Sequence, residues 1–130
     1  MIEYRTWILR KDLQKEPHKL FVFGDNMARV GYGGQARECR DEPNAVGIPT
    51  KWAPGMAEKD FFKDKDLPKI KGTLDAEFDR LWKHVQDGHA IVLPQDGIGT
   101  GLAELPKRAP VIYAYIQKRL EGMVRMDHRE

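Results

Sequence analysis

The sequence predicts a single α/β domain whose mixed or mostly parallel sheet is flanked by helices. Short apolar segments that end in turn residues indicate strands, and segments with helical apolar spacing lie between them. The two kinds of segment alternate along a chain of 130 residues, which suits one domain. Ligands of such sheets bind outside the carboxyl ends of the strands, so the residues that follow each strand are the candidates for function.

Three short apolar segments predict the central strands. They are residues 20–23, 45–48 and 90–93. The first and last are continuous apolar runs, which is typical of strands buried on both faces. The N-terminal segment 2–9 mixes apolar and polar residues and predicts an edge strand, whereas the polar stretch 11–19 contains Pro17 and predicts a connection.

Helical spacing predicts two long helices and a short one. Thr73 is placed to cap the first long helix, whose apolar face would consist of Leu74, Phe78, Leu81, Trp82 and Val85. The second would begin near Pro110 and end near Gly122, and a short helix is predicted for residues 34–40. The charged segment 51–71 is predicted to be a long loop or lid, and residues 122–130 a frayed tail around a core of about 20–121.

Composition narrows the function classes. The chain has 22 Lys and Arg against 20 Asp and Glu, so its charge gives no reason to expect nucleic acid. It has no apolar run that could span a membrane and no signal-peptide pattern, so a cytoplasmic protein is expected. The single cysteine, Cys39, excludes an internal disulfide and is expected to be buried, and the four histidines lack ligand spacing. No metal or cofactor is therefore expected.

The first buried strand is followed by GDN at residues 24–26 and GYGGQ at residues 31–35. A glycine cluster that opens a helix exposes backbone N–H groups to an anion. An ordinary turn explains residues 31–34 about as well as a phosphate cradle does. Tyr32 borders the predicted cleft, where it would stack on a base or simply pack.

The last strand is followed by PQDGIGTGL at residues 94–102. Its alternating glycines suit a loop that wraps a phosphate with successive N–H groups, and Thr100 adds a hydroxyl. The spacing is GxGxG, and no acidic residue follows in a later strand, so a dinucleotide fingerprint is not indicated. Asp96 is expected to bond to the backbone of the turn rather than to a ligand.

The middle strand ends in IPTK at residues 48–51, followed by Trp52. A lysine at a strand exit acts as an electrophile, a phosphate partner or an amine nucleophile, although most lysines are simply exposed. Two phosphate-sized loops and this lysine at one edge of a sheet predict a ligand that contains a diphosphate.

These three motifs together resemble macrodomains. The order FGDN with GYGGQA, then IPTK, then GIGTGLA is nearest to the lysine-dependent branch, and is similar to a set of short phage and bacterial macro-like proteins. The resemblance covers about residues 20–120. Members of that branch remove ADP-ribose from proteins or DNA, so the resemblance implies a macro-like fold, a nucleotide ligand such as ADP-ribose, and an ADP-ribosylated macromolecule as a partner.

The resemblance also implies roles for particular residues. Asn26 would face the distal ribose, and Lys51 would attack its anomeric carbon as a neutral amine. Ala103 stands where the family has a loop aspartate, so Asp25 is the candidate for the missing base. The adenine-binding Gly-Asp of the family's N-terminal strand is not evident.

Three hypotheses follow, and the first two share one set of candidate residues. The first is an ADP-ribosyl hydrolase with Lys51 and Asp25 as the catalytic pair. The second is a non-catalytic nucleotide-binding module, which Ala103 favours. The third is a protein-interaction module that uses residues 51–71, although Phe61 and Phe62 there are better explained as covering the core. The expected ligand-binding residues are Gly24, Asn26, Tyr32, Gly33, Gly34, Gln35, Thr50, Trp52, Gly97, Ile98, Gly99, Thr100, Gly101 and Leu102.

Overall fold

A four-stranded sheet forms the centre of the protein in a computed structural model, which describes residues 1–128. The strands are β1 (Ile2–Arg5), β2 (Leu20–Asn26), β3 (Ala45–Lys51) and β4 (Ile91–Pro94). Their order across the sheet is β1-β4-β2-β3, and every pair is parallel. The predicted α/β class is confirmed, and the sheet is parallel throughout rather than mixed.

Helices cover both faces of this sheet. They are α1 (Arg10–Lys15), α2 (Ala36–Cys39), α3 (Leu67–Gln86), α4 (Leu105–Arg108) and α5 (Pro110–Asp127), with 3-10 turns at Glu58–Asp60 and Asp64–Asp66. The first two helices pack on one face, and α3 and α5 pack on the other. None of the helices within residues 1–128 is long and apolar enough to cross a lipid bilayer.

The alternation of side chains along β2 explains its continuous apolar sequence. Leu20 and Val22 join the core beneath α3 and α5, whereas Phe21 and Phe23 join the core beneath α1 and α2. Successive residues of a strand point to opposite faces, so a strand covered on both sides is apolar at every position. This burial places the end of β2, and the polar residues there, beneath the loops that follow it.

The prediction of a connection at residues 11–19 is wrong, because α1 occupies Arg10–Lys15. Leu13 and Ile8 are fully buried, and the Asp12 carboxylate accepts a hydrogen bond from the backbone N–H of Leu9 at 2.9 Å. One buried leucine and this cap are sufficient for a short helix among polar residues. The core therefore extends to the N-terminus rather than beginning near residue 20.

The predicted helix start at Thr73 is wrong, and the connection predicted at residues 51–71 is shorter, covering residues 52–66 with two 3-10 turns. Lys51 belongs to β3, and α3 begins at Leu67. The segment between them is held down by Phe61 and Phe62, which are 2% and 1% exposed, so these side chains cover the core as expected.

The predicted tail at residues 122–130 falls partly outside the described residues. Within them α5 continues to Asp127, because Met123 is buried and Asp127 pairs with the N-terminal amine of Met1 at 2.7 Å. The helix therefore does not end near Gly122.

Candidate functional site

A groove of about 310 Å³ lies at the carboxyl ends of β2, β3 and β4. We call residues 31–35 the first glycine loop and residues 97–103 the second glycine loop. Both line the groove, through Gly31, Gly33, Gly34 and Gln35 on one side and Gly97, Gly99, Gly101, Leu102 and Ala103 on the other. The floor and ends include Gly24, Asp25, Asn26, Arg40, Thr50, Lys51 and Pro54.

The two glycine loops approach each other closely. A Cβ atom placed on Gly33 would lie 3.9 Å from Cδ1 of Leu102, and one placed on Gly31 would lie 3.0 Å from Pro54. Gly33 therefore leaves the gap beside Leu102 open, since any side chain there would narrow the mouth of the groove. The sequence-based expectation that these loops share one edge of the sheet is met by this geometry.

Side chains hold the first glycine loop in place. The Arg40 guanidinium donates to the carbonyl oxygen of Gly31 at 2.6 Å and to that of Val30 at 3.2 Å. The Asn26 amide also donates to the Val30 oxygen, at 2.8 Å. In a trans peptide the carbonyl and the next N–H point in opposite directions, so the N–H groups of Gly31 and Tyr32 are turned away from Arg40. Within residues 1–128 the N–H groups of the first glycine loop have no acceptor.

The second glycine loop is held by backbone bonds and apolar packing instead. The N–H of Leu105 donates to Gly99 at 2.9 Å, and the N–H of Glu104 donates to Gly101 at 3.0 Å. Ile98 is 2% exposed and anchors the loop in the core. In the described part of the chain, the N–H groups of residues 98–103 find no protein acceptor. Two separate backbone segments with unpaired N–H groups therefore lie at one groove, an arrangement that suits an anion.

Asp25 is buried at the floor of the groove and is bonded on both carboxylate oxygens. One oxygen accepts from Arg40 at 2.5 Å and from the N–H of Asn26 at 2.8 Å, and the other accepts from Arg29 at 3.2 Å. A base needs a lone pair that faces substrate, whereas these oxygens are already occupied by donors. The geometry therefore gives Asp25 the role of anchoring Arg40, which corrects the expectation that it acts as a base.

Lys51 is buried beside the groove without a carboxylate partner. Its amine donates to the carbonyl oxygen of Gly55 at 2.6 Å and lies 4.7 Å from the centre of the Phe61 ring. Among residues 1–128, no carboxylate lies within ion-pair distance of it. Burial lowers the pKa of Lys51 from its ordinary value of 10.5, and the charge of Asp60 opposes this shift only in part. Lowering the pKa increases the fraction of neutral, nucleophilic amine.

Three other expected residues line the groove while also bonding to backbone. Thr50 donates its hydroxyl to the carbonyl oxygen of Asp25 at 3.1 Å. The Gln35 amide bonds to both backbone groups of Ile8, accepting at 2.9 Å and donating at 2.7 Å. Asn26 holds Val30, as described above. These side chains fix the shape of the groove, so the groove offers mainly backbone donors.

Two expected ligand residues do not line the groove, because Trp52 is half-buried against the core and Ile98 is buried within it. Trp52 donates its indole N–H to Asp66 at 3.1 Å and packs edge-on against Phe62. Ile98 is buried in the core. Neither side chain lines the groove. Both residues stand within or beside a motif, which suggested that they contact a ligand. An apolar side chain packs with the core instead wherever a core position is within its reach.

Two others lie on the surface away from the groove lining. Tyr32 is 57% exposed, and its hydroxyl donates to Asp41 at 2.8 Å. Thr100 donates its hydroxyl to the carbonyl oxygen of Asp96 at 2.7 Å, which closes the turn. The threonine therefore shapes the second glycine loop rather than adding a donor to the groove.

Arg40 and Arg29 are the important residues that the sequence did not suggest. Neither belongs to a glycine motif. A usable signal was nevertheless present, because a carboxylate at the end of a buried strand is almost never left unpaired. The expected burial of Asp25 could therefore have prompted a search for a nearby arginine.

Residues 3–119 match the family described as "Family of unknown function (DUF7831)". The match covers most of the chain, which therefore belongs to this family. No curated protein and no solved structure shows significant similarity to the chain.

Proposed function

We propose that the groove binds ADP-ribose or a closely related nucleotide that contains a diphosphate. The observation that carries this proposal is the position of the two glycine loops on opposite sides of one groove. Each loop offers backbone N–H groups that have no acceptor within residues 1–128. A diphosphate carries charged oxygens on two phosphorus atoms, so donors from two separate loops suit it.

Positive side chains at the same groove support an anionic ligand. Arg40 and Lys51 both line it, and Arg40 has its charge balanced by Asp25. Lys51 has no such partner in the described residues, so its charged form attracts an anion. The macrodomain resemblance of the three motifs supports ADP-ribose as the first ligand to test.

The test is isothermal calorimetry with ADP-ribose on three proteins. Gly33→Val places a branched side chain in the mouth of the groove next to Leu102 without requiring a positive φ, so we expect it to abolish binding. Gly72→Ala serves as the control, because Gly72 lies in α3 and a Cβ there meets nothing within 4 Å. We expect the control to bind as the wild type does.

The proposal fails if the wild-type protein takes up no ADP-ribose at millimolar concentration. It also fails if Gly33→Val binds ADP-ribose as tightly as Gly72→Ala while remaining folded. Circular dichroism on both variants separates lost binding from lost structure.

Hydrolysis of an ADP-ribosyl linkage is the second candidate function, and the environment of Lys51 is the observation that favours it. A neutral amine would attack the anomeric carbon, and the bond from that carbon to the leaving group would break. The leaving group would take up a proton from water. A second water would then release ADP-ribose and restore the amine. Glu104 does not take the place of the missing loop aspartate, because it does not line the groove and its carboxylate lies beside Arg108 at 3.6 Å.

The hydrolysis proposal is tested with Lys51→Ala on ADP-ribosylated protein and ADP-ribosylated DNA. We expect release of ADP-ribose to stop while free ADP-ribose still binds. The wild-type rate should rise with pH around a midpoint below 10.5, because the attacking amine must be neutral. Retained turnover in Lys51→Ala would exclude the lysine as nucleophile. Binding without release by the wild type would identify a non-catalytic module.

A further inference from the structure

The amine of Lys51 contacts acceptors from one short segment, residues 54–56. It donates to the carbonyl oxygen of Gly55 at 2.6 Å, and it lies 3.4 Å from the carbonyl oxygen of Pro54 and 3.4 Å from the sulfur of Met56. An ammonium group has three N–H donors, so these acceptors can take all of them. The carbonyl oxygens are strong acceptors, whereas a thioether sulfur is a weak one. Met56 is therefore the partner that a change of chemistry would alter most.

Met56 differs from Lys51 in its access to solvent. Met56 is 58% exposed, whereas Lys51 is 7% exposed. Met56 also does not line the groove, so its side chain is exposed outside the proposed ligand site. A small reagent in solution can therefore reach the thioether while the amine that contacts it stays buried.

Exposure also separates Met56 from most of the other sulfur atoms. The protein has five methionines and one cysteine. Met1 and Met56 are 60% and 58% exposed, whereas the other four sulfur-bearing residues are buried or packed against the core. Burial raises the pKa of the Cys39 thiol to about 12, which removes the reactive thiolate. Met56 is therefore one of two residues that a soluble oxidant reaches readily, and it is the one that contacts the groove lysine.

An added acceptor at position 56 would act on an amine whose other charged neighbours are more distant. Asp60 and Glu104 attract the charge of Lys51 only at longer range, and Arg108 opposes them. A hydrogen bond to the charged form of a group stabilises that form. A strong acceptor in place of the sulfur would therefore keep the amine protonated and make it a poorer nucleophile.

We propose that Met56 is a site of reversible oxidation that controls the reactivity of Lys51. Hydrogen peroxide transfers one oxygen atom to the sulfur, which loses two electrons and becomes a sulfoxide, while the peroxide is reduced to water. The sulfoxide oxygen then accepts the lysine N–H in place of the sulfur. A methionine sulfoxide reductase reverses the step, because a dithiol is oxidised to a disulfide and the oxygen leaves as water. The consequence for hydrolysis rests on the proposed function, whereas the effect on the amine does not.

The test treats the full chain with hydrogen peroxide and measures the reactivity of Lys51. Peptide mass spectrometry locates the added oxygen. Reductive methylation with formaldehyde at one fixed pH compares the rate at Lys51 with the rate at Lys107, whose side chain is 82% exposed. Met56→Leu removes the sulfur and keeps an apolar side chain. Met56→Gln supplies an amide oxygen, which is a strong acceptor that peroxide does not change.

We expect peroxide to oxidise Met56 and to slow methylation of Lys51 by about three- to tenfold, the effect of one hydrogen bond to a charged group. Treatment with the reductase and dithiothreitol should restore the rate. Untreated Met56→Gln should be as slow as the oxidised wild type, and Met56→Leu should keep the faster rate before and after peroxide. Release of ADP-ribose by the wild type should fall by the same factor as the methylation rate.

Other results overturn the inference in distinguishable ways. Full oxidation of Met56 with an unchanged rate at Lys51 would overturn it and leave the proposed function intact. An equal loss of rate in peroxide-treated Met56→Leu would also overturn it, because another residue such as Met1 would then be responsible. Release of ADP-ribose that stays constant while the rate at Lys51 falls would instead count against Lys51 as the nucleophile. Circular dichroism of the oxidised protein and of Met56→Gln separates these effects from loss of structure.

Discussion

The two glycine loops lie on opposite sides of one groove, yet different forces hold them. The first is held by charged and polar side chains, chiefly Arg40, which is anchored in turn by Asp25. The second is held by the buried side chain of Ile98 and by backbone bonds at the start of α4. The difference shows that a loop with unpaired N–H groups can be held in place either by an ion pair or by packing in the hydrophobic core. Changes of charge should therefore affect one loop and changes of volume the other.

The largest effect is expected from Ile98→Ala. Removing a fully buried branched side chain leaves a cavity, so we expect a loss of about 3 to 4 kcal/mol in the free energy of unfolding. Leu102→Ala in the same loop is the control, because Leu102 is 63% exposed and should change stability by less than about 0.5 kcal/mol. Urea unfolding measures both. Equal losses would show that Ile98 does not anchor the second loop.

Asp25→Asn should have the next largest effect, a loss of about 2 to 3 kcal/mol in the free energy of unfolding. The substitution leaves the guanidinium of Arg40 without its carboxylate partner. Asp79→Asn removes an exposed partner of Arg119, and a surface pair contributes less than about 1 kcal/mol. Urea unfolding of the two variants tests the ion-pair account of the first loop. That account would be wrong if Asp25→Asn were as stable as Asp79→Asn.

A pair of glycine substitutions compares the loops directly. Gly99 has a φ of +84°, and a Cβ there would lie 2.8 Å from Leu105. We therefore expect Gly99→Ala to lower the free energy of unfolding by about 2 to 3 kcal/mol. Gly34 has φ of +56° but a Cβ there meets nothing within 4 Å, so Gly34→Ala should cost only about 1 kcal/mol of backbone strain. Thermal unfolding should rank them in this order. The reverse ranking would show that packing does not distinguish the second loop.

The smallest effect is a pH dependence from Lys51, which lines the groove beside the loops. Burial lowers the pKa of Lys51 in the folded protein below the ordinary value of 10.5 that it has in the unfolded chain. Between the folded and the unfolded pKa, the unfolded chain therefore binds more protons than the folded protein. Stability contributed by this group therefore rises with pH through that window. Lys51→Met should remove the rise, measured as the difference between the two proteins in urea unfolding from pH 8 to 10.5. Parallel pH profiles would contradict a lowered pKa.

Much of the fold could be predicted from local sequence. The continuous apolar runs located β2 and β4, and the glycines that follow them located both loops. The α1 helix was missed because Leu13 is its only buried residue, which leaves no apolar periodicity to detect. The start of α3 was missed because Pro68 and the charged residues around it are typical of a loop, although proline also suits the first turn of a helix.

The site was less predictable than the fold. Trp52 and Ile98 stand within the motifs, but both pack against or within the core instead of lining the groove, and a motif does not reveal which side chains do so. The Arg40–Asp25 contact joins residues 15 apart across a helix, so no local pattern signals it. Backbone donors could be predicted from the glycines, whereas the side chains that orient these donors are identified only by the three-dimensional structure.

The most direct test is an NMR titration with ADP-ribose that follows the backbone amide signals of Gly33, Gly34, Gly99 and Gly101. We predict that signals from both loops shift and saturate together, with one dissociation constant, because one diphosphate contacts both. Shifts confined to a single loop, or no shift in either at millimolar ADP-ribose, would contradict the account.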